Sequence, residues 1–256
     1  MSNLNEAPGL ERRRDARPWY DTTLGRYVLE REQAYIDSAV SDIFGFNALQ
    51  FSLAQYDLLR ASRIATHLTL GPYPPARLRM DLDCLAIANQ SIDLVLMPHV
   101  LEFSSAPHQI LREVERVLIP EGHVLITGFN PFSLWGAYHA LRRGDDAYPW
   151  RGKFISLLRV KDWLALLGFD VVAGKLACYA PPLQSEKWRA RFKFMEAAGD
   201  RWWPLGGGVY CVLAKKRVHS MRVILPSWSE RLAAQPGITP VTQKGAVQQD
   251  QRPTGE

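Results

Sequence analysis

The sequence predicts a doubly wound α/β fold with a mostly parallel sheet, and two observations carry that expectation. Short apolar runs of strand length alternate with longer stretches in which apolar residues recur at helical spacing. The strand, helix and second strand between residues 92 and 127 also follow one another so closely that they imply one right-handed crossover.

Taken in chain order, residues 1–18 are polar and Arg-rich (Arg12, Arg13, Arg14, Arg17) and read as a loose arm. No apolar stretch follows these arginines, so a signal peptide is not expected. Residues 19–45 read as one helix, with Leu24, Tyr27, Val28, Ala34, Tyr35 and Val40 near helical spacing and Gly45 as its stop. Residues 46–216 form the main domain. Its first strand falls near residues 47–53 and its second near 64–70, followed by a turn at Gly71-Pro72-Tyr73-Pro74-Pro75 where a helix would normally stand. Residues 92–96 have the apolar character of a fully buried parallel strand.

Ser105 is the expected N-cap of the next helix, with Pro107 tolerated in its first turn. The apolar positions Ile110, Leu111, Val114, Val117 and Leu118 make one stripe, with the charged residues turned outward. Pro120 is expected to stop this helix, Glu121-Gly122 to turn the chain, and residues 123–127 to form a buried strand. Val160, Trp163, Leu164 and Leu167 mark another helix with Gly168 as its C′ residue. Strands at residues 169–173 and 208–214 complete the domain, with inserted cap segments near 131–158 and 179–206. The stretch from 217 to 256, rich in Pro and Gln, reads as a disordered basic tail.

Composition excludes several classes. Hydrophobic residues make up 47% of the chain and charged residues 22%, which suits a globular protein with a sizeable core. No apolar run approaches the roughly 20 residues of a membrane-spanning helix. Three cysteines (Cys84, Cys178, Cys211) without a C-x-x-C pattern read as small buried or half-buried side chains in a reducing cytosol, and a cytoplasmic location is expected. The net charge of +5 concentrates from Lys215 onward, where seven Lys/Arg face three acids. Contact with nucleic acid is therefore expected only through that tail, if anywhere.

The segment from Arg79, Met-Asp-Leu-Asp-Cys-Leu-Ala-Ile-Ala-Asn-Gln-Ser-Ile-Asp-Leu-Val-Leu, resembles the D-x-x-x-L-P-F-x-x-x-S-F-D-x-V signature of the type 11 methyltransferases. Asp81, Leu85, Ser91, Asp93 and Val95 fall on it, and Ala86 and Ile87 replace its Pro and Phe. Residues 110–126 are similar to that family's L-x-E-x-x-R-V-L-K-P-G-G-x-L-x-I, with Glu121 in place of the first glycine. The chain further resembles the family's bacterial YafS-like branch, including its Gly128-Phe-Asn-Pro-Phe-Ser. The resemblance implies a Rossmann-like class I methyltransferase with a seven-stranded-type sheet, reduced around its second strand, that binds S-adenosylmethionine and acts on a small molecule.

By the same resemblance, Asp81 would accept a hydrogen bond from the adenine amino group and Leu82 would line the adenine's apolar face. Met97, Pro98 and His99 would run past the methionine moiety, with His99 the candidate catalytic base. The usual acid followed by G-x-G-x-G is missing. Ser52 stands at its first glycine position, with non-glycine residues after it. Leu70 and Gly71 stand where a ribose-binding acid would be expected. The implied activity is methyl transfer; the alternative is a catalytically inactive methyltransferase fold serving as a binding or scaffold module. A nicotinamide-dependent reductase is disfavoured because no G-x-G-x-x-G opens the domain. His99 and Glu102 form an H-x-x-E pair, which with only two ligands is a poor metal site. Trp135, Tyr138, Tyr148 and Trp150 would either roof a pocket or pack the inserted helix against the domain.

Overall fold

The computed structural model describes residues 16–72, 75–142, 147–183, 191–192, 195–196, 199 and 205–217. The expected loose arm up to residue 15, most of the second cap segment and the tail from residue 218 lie outside the described residues.

The region read as one long helix is two. Helix α1 spans Arg17–Tyr20 and α2 spans Thr23–Val40. The break lies at Asp21 and Thr22. Thr22 Oγ1 accepts the Gly25 N–H at 3.1 Å and caps α2, while its hydroxyl donates to Trp19 O. Helix α1 begins at Arg17, at the very end of the segment expected to be loose, and Trp19 and Tyr20 just after it are buried.

Strands β1 (Asn47–Phe51), β2 (Thr66–Gly71), β3 (Leu78–Arg79), β4 (Ile92–Pro98), β5 (Leu118–Phe129), β6 (Phe169–Ala177) and β7 (Val209–Lys216) form one sheet in the order β3-β2-β1-β4-β5-β7-β6. The pairs from β3 to β5 are parallel, and β7 runs antiparallel between β5 and β6. The order reverses between β1 and β4, which opens a crevice above their carboxyl ends. The reduction around β2 goes further than the sequence suggested. No helix connects β1 to β2 or β2 to β3 among the described residues, and residues 53–62 are turns.

One face of the sheet is covered by α2, the turns after β1 and the helix α4 (Leu134–Leu141). The other is covered by α3 (Pro107–Val117) and α5 (Leu157–Leu166). Ile110, Leu111, Val114 and Val117 of α3 are fully covered, each contributing about 1.5–3 kcal/mol of transfer free energy. Two boundaries differ from expectation for local reasons. Ser105 does not cap α3; Ser104 Oγ accepts the Ala106 N–H instead, and Ala106 is the cap residue. Pro120 does not stop the helix, which has already ended at Val117, but lies near the start of β5. Gly168 has the C′ role expected of it, with φ at +78°.

The signature residues turn out to build the scaffold. Asp93 Oδ2 accepts the N–H groups of Phe46 and Asn47, both at 2.9 Å, and so ties the start of β1 to β4. A Cβ on Gly45 would lie 2.4 Å from that of Asp93, which explains the glycine there. Glu113 accepts the Leu85 N–H at 2.8 Å. Arg116 donates to Leu85 O at 2.9 Å and to Ile87 O at 2.8 Å, so α3 grips the segment that follows Asp81.

Candidate functional site

The carboxyl ends of β1, β2 and β4 meet above the point where strand order reverses. At the end of β1 the chain turns through Ser52 and Leu53, with φ of 61° and 44°. These left-handed values favour glycine, so two non-glycine residues hold a backbone conformation that glycines usually supply. Gln50 holds the turn from below. Its buried amide nitrogen donates to the carbonyls of Ser52, Leu53 and Tyr56, and its Oε1 accepts the Leu58 N–H at 3.2 Å. The Ser52 N–H donates to Leu70 O at 2.9 Å and joins the turn to β2. The N–H groups of Leu53, Ala54 and Gln55 have no acceptor among the described residues, so the turn presents three donors in succession.

Beyond β3, Asp81 is exposed, and its carboxylate has no partner among the described residues. Met80 and Leu82 beside it are half-buried against the α3-side core. The end of β2 offers only Leu70 and Gly71, both buried and without an acid. At the end of β4, Met97 and Pro98 are both buried.

His99 terminates β4 with φ at 49°, and its N–H donates to Thr127 O at 3.1 Å. Its ring stacks on Phe129 at 4.2 Å between centroids. Nε2 lies 2.7 Å from Glu32 of α2, and Nδ1 lies 3.1 Å from Glu102 in the 3₁₀ turn Leu101–Phe103. Glu102 Oε1 also accepts the Phe129 N–H at 2.7 Å. The three side chains are 1%, 2% and 0% exposed. Burial alone would pull the imidazolium down, but the two carboxylates outweigh it and push His99 up to about 10. It is therefore a fixed cation at neutral pH with both ring nitrogens engaged, which leaves it no lone pair with which to act as a base.

Glu32 was not among the residues singled out from sequence, although a signal for it existed. Leu24, Val28, Glu32, Ile36 and Val40 recur every four residues along α2, and all are buried. One carboxylate inside an otherwise apolar stripe is the informative departure from pattern. Among the described residues no group of three or more His, Cys, Asp or Glu has a metal-binding arrangement.

The aromatic residues of the first cap segment pack against the domain. Trp135 is fully buried, its indole N–H donates to Ala180 O at 2.9 Å, and Phe129 stacks on it at 5.8 Å. Tyr148 and Trp150 are buried too, with the Tyr148 hydroxyl 3.1 Å from that of Tyr20. Tyr138 lies edge-on to Trp150. Asn130 is a clamp: its side-chain nitrogen donates to Leu205 O at 2.8 Å and to Gly207 O at 3.0 Å. Of the cysteines, Cys178 and Cys211 are buried, whereas Cys84 is exposed, contrary to expectation. Lys215, Lys216 and Arg217 are not free tail charges either. Lys215 pairs with Glu121, Lys216 with Glu115, and Arg217 with Glu121 and Asp170.

The sheet order, its single antiparallel strand and the crevice above β1 and β4 define the fold of the class I S-adenosylmethionine-dependent methyltransferases. Residues 42–126, from just before β1 into β5, match the family described as "Methyltransferase domain", type 11. Over that third of the chain the sequence is similar to the type 11 methyltransferase domain. The uncharacterized protein YafS of Escherichia coli (strain K12) is 28% identical over 156 residues, 60% of this chain and 65% of YafS. The Mycobacterium tuberculosis (strain ATCC 25618 / H37Rv) protein Rv2003c is 27% identical over 177 residues, 64% of this chain and 60% of that protein. The match therefore spans less than two thirds of either relative.

Among solved structures, a SAM-dependent methyltransferase from Thermotoga maritima superposes with a TM-score of 0.59 at 14% identity, covering 78% of this chain and 94% of that one. A SAM-dependent methyltransferase from Archaeoglobus fulgidus gives 0.53 at 17%, covering 75% and 94%. The [4+2]-cyclase SpnF gives 0.52 at 15%, covering 73% and 80%. At these identities the structures speak for the fold alone. No helix among the described residues is long and apolar enough to cross a membrane.

Proposed function

We propose that this chain is an S-adenosylmethionine-dependent methyltransferase acting on a small molecule, with the cofactor lying across the ends of β1, β3 and β4. The observation that carries this reading is the unpartnered, exposed Asp81 carboxylate beside the half-buried Leu82, at the position that binds adenine in the family resemblance. The turn at Ser52 supports it as well. Three successive N–H donors there suit a carboxylate such as the cofactor's, and the left-handed backbone at Ser52 and Leu53 keeps the glycine-like path. The residues fit the cofactor at its adenine and carboxylate ends; at the ribose, Leu70 and Gly71 supply no acid.

S-adenosylmethionine, when bound, supplies an electrophilic methyl group on a sulfonium. Ser52 and the amides after it orient the amino-acid end, Asp81 and Leu82 the adenine, and the main chain of Met97, Pro98 and His99 borders the reacting end. Methyl transfer chiefly requires alignment of acceptor and methyl group. His99, held between two carboxylates, serves that alignment by fixing the turn after β4 rather than by taking a proton. The domain is proposed to run from 19 to 216. Beyond the paired cations at 215–217, the tail holds four basic residues against three acids, which favours a small-molecule acceptor over nucleic acid.

One observation favours a second reading. Gln50 satisfies the carbonyls of the β1 turn internally, as a structural module without cofactor would need. Titration calorimetry with S-adenosylmethionine and S-adenosylhomocysteine decides between the two. The methyltransferase reading expects binding in about the micromolar range, weakened about tenfold or more by Asp81→Ala. No heat from well-folded protein supports the module instead.

A further inference from the structure

Helix α2 lies outside the matched family segment, yet two adjacent residues on it hold the two chain turns that border the crevice. Glu32 reaches His99 at the end of β4 (2.7 Å). Gln33, also buried, donates from its amide nitrogen to Leu58 O (3.2 Å) in the turns that follow β1. One helical turn further, Asp37 accepts from Arg60 in those same turns at 2.6 Å. The turns have no helix of their own to hold them, because none connects β1 to β2. The end of β4 likewise carries a non-glycine residue at φ 49°, a conformation that persists only when its surroundings over-determine it.

We infer that Glu32 and Gln33 are positioning residues of the cofactor site, and that α2 is the brace replacing the missing helix after β1. The inference rests on the cofactor reading and names the part of the chain that makes the site competent. Glu32 acts through His99, whose backbone turn it pins from the side opposite Glu102. Gln33 acts through Leu58, whose N–H is held in turn by Gln50, so α2, the β1 turn and the β4 end form one hydrogen-bonded unit. None of these side chains needs to touch the ligand. Their contribution is to keep the donors after Ser52 and the main chain at His99 at a fixed separation before binding, which removes an ordering penalty from the binding step.

The test is calorimetric affinity for S-adenosylhomocysteine in the full chain, with Glu32→Gln and Gln33→Ala compared against wild type and Asp81→Ala. A second readout is amide hydrogen exchange across α2 with and without the ligand. Affinity should fall at least about fivefold in each α2 variant that melts cooperatively, and ligand should slow exchange in α2 of the wild type. If Glu32→Gln fails to fold, Gln33→Ala decides, since it removes two hydrogen bonds, to Leu58 O and to Asp37 Oδ1, and no charge. Wild-type affinity within about twofold in the folded variants, together with a large loss in Asp81→Ala, overturns the brace and leaves the cofactor reading standing. Absence of any binding by the wild type overturns both.

Discussion

The stability of the fold should depend on the charge of His99, and Glu32→Gln is the perturbation that exposes this. The ordinary imidazole value is 6.5, and in the folded chain His99 is pushed up to about 10, with Glu32 the larger of the two carboxylate influences. A group raised on folding stabilises fully below its unfolded value, and that stability is lost as pH rises through the folded value. The window here runs from about 6.5 to about 10, with a slope approaching about 1.4 kcal/mol per pH unit. Between pH 6.5 and 8.5 the wild type should therefore lose about 2 kcal/mol from this one group.

Other groups enter outside that interval. His123 is half-buried and lowered, by burial first and Lys215 second, so its contribution is lost below about 6.5. The buried thiols Cys178 and Cys211 are raised and matter only near and above the ordinary thiol value.

Replacing Glu32 with the isosteric Gln removes one charge from a fully buried trio. It should cost roughly 3–5 kcal/mol near neutral pH, toward the lower end because Glu102 remains. It should also flatten the slope above pH 7.5, because the His99 value falls. Urea unfolding followed by far-ultraviolet circular dichroism at pH 6.5, 7.5 and 8.5 measures both effects. A wild-type stability that is flat across this range, or a variant whose pH profile runs parallel to the wild type, would refute the buried imidazolium.

The other expectations concern the scaffold beneath the site. Arg116→Ala removes the donors to Leu85 O and Ile87 O and should destabilise the chain by about 1–3 kcal/mol, read from its urea midpoint. It should also weaken S-adenosylhomocysteine binding without removing any ligand contact, because the segment carrying Asp81 loses its grip on α3. Gly45→Ala brings a Cβ to 2.4 Å from that of Asp93 and should cost about 1–3 kcal/mol by forcing β1 away from β4. Thermal melting would show this, and an unchanged midpoint would mean the Gly45 backbone gives way freely.

Much of the fold could be read from the sequence because it depends on local pattern. The β4–α3–β5 crossover follows from a buried strand run, one apolar stripe and a second strand, and burial of those faces leaves little choice of arrangement. Asp81, Asp93, Glu113 and Arg116 were legible as a spaced signature. Their division of labour was not, since only the tertiary structure shows Asp93, Glu113 and Arg116 spent on backbone while Asp81 stays unpartnered among the described residues. Loop lengths around β2 revealed a reduction but not its extent. A turn and a short helix occupy similar numbers of residues, and long-range packing chose the turn.

The site divides in the same way. By itself, the sequence determined the crevice-bearing sheet and the non-glycine residue at each turn, because strand and turn chemistry act over a few residues. It could not determine that His99 is a buried cation. That outcome needs Glu32, 67 residues away in sequence, to arrive from α2 on one side and Glu102 on the other. In water the pair interactions would be screened to about 1 kcal/mol; burial makes them strong enough to set the charge of a side chain. Only tertiary structure decides what is buried beside what.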